Sequence, residues 1–263
     1  ICPILETNNY QKELIGMLYS PDVGIGYIFI SNLLASGLTF LMLLSGIYKL
    51  LKWKYFSLIL AKKMLSYSFP LVIAGLAYAT NEVADKIMLS YFLDTGKVGI
   101  YGACYKLSIF MILFVQAYRY TIEPYYFNNH KKENFKKMYV KIMRYFIIIS
   151  LFIFLSISLN KEYIIQILGT KGGYREGVVI IPIVLMAHLF LGIYYNLSLW
   201  YKLTNKTYFG ALISIGGALI TIILNLLLIP KIGYIGSAWA TFFCYFFMAI
   251  TSYTLSIKYY FVP

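Results

Sequence analysis

Long, mostly apolar runs, among them Gly24 to Tyr48 and Val178 to Trp200, constrain this chain more than any other feature. At about 1.5 Å per helical residue, each is long enough to cross a hydrocarbon layer about 30 Å thick. Lipid offers no water to backbone N–H and C=O groups, so such runs must be helical. Composition agrees: 60% of the 263 residues are apolar and 13% charged, against roughly 45–50% and 25% in soluble domains. The expected fold class is all-α, a polytopic transmembrane helix bundle.

Gly, Pro, Asn and Lys punctuation divides the chain into about seven spans, near 24–48, 66–91, 98–122, 142–159, 178–200, 208–229 and 236–257. Basic residues fall unevenly between them. Lys49, Lys52, Lys54, Lys62, Lys63, Lys131, Lys132, Lys136, Lys137, Lys141, Arg144, Lys202, Lys206 and Lys258 occupy one set of connections. Only Lys12, Lys97, Lys161, Lys171, Arg175 and Lys231 occupy the other. Fourteen against six places the first set in the cytoplasm, so the chain is expected to start outside and end inside. The same distribution argues against nucleic acid as the partner of a net charge of +13, because no soluble basic face exists to bind it. Aromatic residues at run ends, such as Tyr125, Tyr126, Trp200, Tyr201, Tyr259 and Tyr260, form an interfacial belt.

Phe135, Met138, Tyr139, Ile142, Met143 and Phe146 recur at helical spacing with Lys136, Lys137, Lys141 and Arg144 between them, which predicts an interfacial helix running into the fourth span. The longest external connection, Asn160 to Gly177, has no room for a folded domain. The chain opens at Ile1 with neither an initiator Met nor a signal-peptide pattern, and reads as cut from something longer.

Ionisable residues inside spans cost about 2.5–3.5 kcal/mol each on insertion scales, so each needs a partner or a wet cavity. Glu82, Asp85 and Lys86, at i, i+3 and i+4, are placed on one face of the second span. A tight turn at Asp94 to Gly99 brings Lys106 of the third span level with them. Two readings stand: a clamp that pairs helices, or a site for a coupling ion or proton. Gln116, Arg119 and Glu123 share a face of the third span, after which Pro124 is expected to stop the helix. Arg119 either pairs with Glu123 or faces a cavity, where its planar guanidinium suits a diphosphate. His188 either relays protons or bridges helices, and Asn81, Asn196 and Asn225 are polar contacts between helices.

No constellation supports bond chemistry. The only His residues are His130 and His188, HExxH and GxSxG are absent, and Gly169 to Gly173 lacks the GKS or GKT ending of a phosphate loop. Cys2, Cys104 and Cys244 are odd in number and widely spaced, so neither a disulfide framework nor a metal site is expected, and no cofactor is implied.

The stretch Ala84-Asp85-Lys86-Ile87-Met88-Leu89-Ser90-Tyr91-Phe92-Leu93, with Val98-Gly99-Ile100-Tyr101 and Tyr105-Lys106-Leu107 after it, resembles the seventh helix and following turn of polysaccharide flippases. Leu224-Asn225-Leu226-Leu227-Leu228-Ile229-Pro230, Gly233 and Gly236-Ser237-Ala238-Trp239-Ala240-Thr241 resemble a later helix junction of the same proteins. They belong to the multidrug, oligosaccharidyl-lipid and polysaccharide exporter superfamily. The resemblance extends over nearly the whole chain and implies the C-terminal six-helix lobe of a MATE-like fold plus one preceding helix. Residues 1–65 would hold an external segment, the last helix of the N-terminal lobe and the inter-lobe linker, and 66–263 the lobe itself.

What the resemblance implies for function is a flippase of a bacterial inner membrane that moves undecaprenyl-diphosphate-linked oligosaccharide for O-antigen, capsule or exopolysaccharide. Its partners would be membrane lipids and the glycan-assembly machinery, polymerase and glycosyltransferases. Asp85 with Lys86 and Tyr105 with Lys106 match the family's paired positions, although many relatives carry Arg where this chain has Lys86. Lys106, Arg119, Gln116 and Asn81 are the candidate cavity residues, and Glu82, Asp85, Lys86 and His188 the ion-coupling or structural cluster. About five N-terminal helices are absent, and alternating access needs two lobes, so this piece alone is not expected to transport. Alternatives are a cation-coupled multidrug exporter of the same superfamily, an integral-membrane glycan enzyme, or a scaffold.

Overall fold

The computed structural model describes residues 26–48, 56–168 and 173–259. Cys2, Lys12, Lys49, Lys52, Lys54, Lys171, Tyr260 and all of Gly169 to Gly173 except Gly173 itself lie outside the described residues. The described chain is helical, without strands. By internal packing it divides into Ile1–Ile59 and Leu60–Pro263.

The first unit contributes α1 (Gly26–Tyr48), with Leu33 and Met42 among its many exposed apolar side chains. The second contains α2 (Leu58–Phe92), α3 (Thr95–Lys106), α4 (Ile109–Asn129), α5 (Phe135–Leu159), α6 (Lys161–Leu168), a 3-10 turn (Tyr174–Val179), α7 (Ile180–Leu197), α8 (Leu199–Leu203), α9 (Tyr208–Ile232) and α10 (Tyr234–Tyr259). Among the described residues six helical stretches are long and apolar enough to cross a membrane, and a seventh results if α3 and α4 count as one.

α7 is the axis of the second unit. Its sequence is apolar all round, which predicts burial on every side, and Ile180, Ile181, Val184, Leu185, Ala187, Leu189 and Leu191 are all inaccessible or nearly so. α4, α5 and α10 pack around it, and α9 packs on α10. α2 makes few close backbone approaches to these helices. What it buries is a narrow ridge, Ala77, Asn81, Asp85 and Leu89, one residue every fourth position.

The third span is broken. α3 and α4 meet at 46°, where the buried Ser108 hydroxyl donates to the Tyr105 carbonyl (2.6 Å) and the Leu107 and Ser108 amides bond three residues back. A side chain inserted into the helical ladder is a recognised cause of such a bend. Pro124, by contrast, does not end its helix: α4 runs through it to Asn129. Proline removes only the bond to the carbonyl four residues earlier, that of Tyr120, an exposed residue. α5 is continuous from Phe135, with Phe135, Tyr139 and Phe146 buried and Lys136, Lys137, Lys141 and Arg144 exposed.

Gly233 and Gly236 explain the α9–α10 junction. Gly233 has φ +63° and ψ −145°, a region open essentially to glycine alone. A Cβ on Gly236 would lie 2.7 Å from the Leu228 backbone carbon, so α9 and α10 touch there backbone to backbone.

Candidate functional site

Two polar assemblies interrupt the apolar interior of the second unit. The first lies toward the Phe92–Thr95 turn. Asp85, 2% exposed, accepts hydrogen bonds from the Tyr101 hydroxyl (3.0 Å), the Thr241 hydroxyl (2.7 Å) and the Asn225 amide (3.0 Å). These donors come from α3, α10 and α9, so one carboxylate ties α2 to three helices. Asn225 and Thr241, from separate helices, thus meet at Asp85.

Glu82 sits on the shoulder of the ridge, its side chain 23% exposed. It accepts from the Tyr245 hydroxyl (2.8 Å) and from Tyr105 (3.2 Å to each oxygen), and lies 4.0 Å from His188 Nε2. His188 is buried, with Nδ1 2.8 Å from the Val184 carbonyl and Nε2 3.3 Å from the Tyr105 hydroxyl. A carbonyl only accepts, so Nδ1 carries a proton, and in the neutral ring Nε2 is left as an acceptor. The single Tyr105 proton can then go to Glu82 or to His188, one at a time, so the hydroxyl is shared between two acceptors. Asn81, also buried, donates to Cys244 Sγ (3.4 Å), while its Oδ1 and that of Asn225 have no partner among the described residues.

The expected four-ion cluster is therefore corrected. Lys86 and Lys106 are exposed; each is one residue, a rotation of about 100°, beyond an inward residue, Asp85 or Tyr105. Lys86 lies 5.6 Å from the Tyr105 ring centroid, at the outer reach of a cation–π contact. The carboxylates are held by neutral hydroxyl and amide donors instead. Tyr101, Tyr245 and Thr241 were not singled out from sequence, although Thr241 and Tyr245 stand four apart in an apolar run, the spacing of polar groups that share a face.

The second assembly lies toward the opposite end, between α2, α4, α7 and α8, where the Thr207 hydroxyl donates to the Tyr67 carbonyl (2.9 Å). A cavity of about 880 Å³ opens there, lined by Tyr67, Tyr78, Arg119, Glu123, Tyr195 and Lys202 among others. Arg119 lines this cavity, and its Nε lies 3.4 Å from Glu123 Oε2. Its guanidinium also sits 4.5 Å from the Tyr195 ring centroid. Lys202 Nζ donates to the other Glu123 oxygen, closing a bridge between α4 and α8. His130 lines the same cavity. Gln116 is half-buried and lies outside the cavity lining. Lys202 counted in the sequence only toward orientation, because its partner is 79 positions away.

Among the described residues no group of His, Cys, Asp and Glu is arranged to hold a metal. Cys104 and Cys244 are free and buried.

Comparison with known proteins places this architecture. The chain overlays on a MOP superfamily transporter from Pyrococcus furiosus, one described as having a binding pocket of reverse polarity that suggests a different function. The TM-score is 0.63 at 16% identity, over 76% of this chain and 46% of that one. A multidrug resistance MATE family transporter of the MOP superfamily, in an outward-facing conformation, gives 0.60 at 16% identity, over 76% and 45%. At such identity the likeness is one of fold, and this chain spans less than half the length of either transporter. No curated protein matches the sequence significantly. The family described as MatE matches residues 70–227, more than half of the chain. This chain, with several helices long and apolar enough to cross a membrane, belongs to the MatE family.

Proposed function

We propose that the intact protein carrying this chain is a flippase for undecaprenyl-diphosphate-linked oligosaccharide, working by alternating access with this lobe as one of its two halves. It would act in a bacterial inner membrane, with the basic end of the lobe toward the cytoplasm and the chain's start outside, alongside the glycosyltransferases and polymerase that build the glycan. The observation that carries this reading is the cavity, whose two cationic side chains, Arg119 and Lys202, converge on one carboxylate, Glu123, among tyrosine rings. Both cations already hold an anion, so the geometry for a diphosphate is preformed. A guanidinium braced on Tyr195 is suited to bidentate phosphate contact. The tyrosines offer stacking faces and hydroxyls to sugars. Glu82 and Asp85 at the far end would carry a proton or coupling ion whose binding biases the two lobe arrangements.

Arg119→Ala and Lys202→Ala, each made in the intact protein, are expected to abolish or sharply reduce surface glycan while the protein stays inserted. Full glycan display in both variants rejects the cavity role. A second reading, cation-coupled multidrug export, is favoured by the aromatic lining and by carboxylates with no cation against them at Glu82 and Asp85. It predicts the opposite phenotype: drug accumulation rises in the Glu82→Gln variant while surface glycan is unchanged.

A further inference from the structure

A groove of about 390 Å³ runs along the outside of the lobe between α5, α8 and α10, apart from the cavity described above. Its walls are apolar, formed by Val140, Met143, Ile147 and Leu197 among others, and its one charged residue is Arg144. Two of its hydroxyls are already committed, Tyr139 to the Asn196 carbonyl (2.9 Å) and Ser256 to the Tyr253 carbonyl (2.7 Å). Trp200 also lines the groove and is 3% exposed. Lys137, two turns of helix before Arg144 on α5, is exposed on the same face and extends its positive charge toward the membrane surface.

We propose that this groove binds an anionic glycerophospholipid of the leaflet into which the basic end of α5 dips. The phosphate lies against the Arg144 guanidinium, with Lys137 beyond it, and one acyl chain runs along Met143 and Ile147. Charge complementarity selects this occupant: a neutral partner helix would leave Arg144 without an acceptor, whereas an anionic lipid supplies acyl chain and phosphate oxygens together. The site is independent of what crosses the central cavity.

The test uses the intact protein, delipidated in detergent and examined by native mass spectrometry. Phosphatidylglycerol, phosphatidylcholine of the same acyl chains, and inorganic phosphate are added in separate arms. Wild-type protein should retain one phosphatidylglycerol per chain in preference to phosphatidylcholine. Arg144→Gln, an exposed substitution that leaves the packing alone, should lower that preference about fivefold, the factor one basic side chain contributes near an anionic surface. Val140→Trp, which fills the groove, should lower retention of both lipids; if it does not fold, Ile148→Trp at the groove edge serves instead. Retention unchanged in the Arg and groove-filling variants overturns the proposal. So does inorganic phosphate protecting the protein as well as the lipid does, or a second copy of the chain cross-linking across Trp200.

Discussion

The two ends of this lobe bury carboxylates in opposite ways. Toward the Phe92–Thr95 turn, Asp85 and Glu82 are held by tyrosine, threonine and asparagine donors, with no Lys or Arg among the described residues paired with either. Toward the other end, Glu123 is held between Arg119 and Lys202. Neutral donors fix a carboxylate's position without cancelling its charge, so that end stays responsive to a proton or cation. A pair of cations cancels the charge and becomes responsive to a competing anion. One helix bundle thus holds carboxylates in two ways, by neutral donors around Asp85 and Glu82 and by cations around Glu123.

Asp85→Ala is the most direct way to break the comparison and should have the largest effect. It leaves the buried Tyr101 hydroxyl and Asn225 amide without their acceptor, while Thr241 can still donate to the Ser237 carbonyl at 3.1 Å. At about 1–3 kcal/mol for each orphaned group, the loss should be about 2–6 kcal/mol. A thermal melt of the detergent-solubilised intact protein reads it, and a melting temperature equal to wild type would show that Asp85 does not hold α2 to α3, α9 and α10.

The existence of the helices was legible in the sequence because a long apolar run announces each one, but the break at Ser108, the start of α2 at Leu58 and the run of α4 through Pro124 were not. Side-chain direction was less legible. Lys86 and Asp85 are adjacent, and the inward ridge of α2 is set by every fourth residue from Ala77, which only packing reveals. Lys106 failed to join the cluster for the same reason, since its neighbour Tyr105 takes the inward position. Pairings such as Lys202 with Glu123 or Thr241 with Asp85 join residues far apart in sequence, and no local spacing encodes them. The bend at Ser108 has a local cause, but a serine in an apolar run is too common a signal to announce it.

Glu123→Gln sharpens the comparison from the cationic side and should have an intermediate effect. It removes the charge that separates Arg119 from Lys202 and leaves two cations facing one cavity. The groups are partly exposed, so solvent screens part of the cost, and about 1–2 kcal/mol is expected, less than for a fully buried pair. Adding Lys202→Met should recover part of this loss, a coupling that a double-mutant cycle measures directly. If the single and double variants melt together, Glu123 is not bridging the two helices. The hub at Asp85 should give no such recovery when Thr241 is replaced, because its partners do not repel one another.

A third carboxylate, Asp94, tests whether burial or donor type governs these differences, and its effect should be the smallest. It is exposed, caps α3 by accepting from the Lys97 backbone N–H at 2.9 Å, and lies 3.9 Å from the Lys97 ammonium. The backbone hydrogen bond from Lys97, first, and then the Lys97 charge hold its carboxyl below the ordinary carboxylate range. A depressed folded-state value means that the stabilisation is present above the unfolded pKa and is lost as pH falls through the folded one. Wild-type protein should therefore lose a small increment of melting temperature on acidification. Asp94→Asn, which keeps a side-chain oxygen for the cap without a titrating group, should remove that increment while leaving the melt near neutral pH almost unchanged. Were Asp94→Asn to destabilise as strongly as Asp85→Ala, donor type alone would set the strength of these contacts, and burial would not be what separates the hub on α2 from a surface cap.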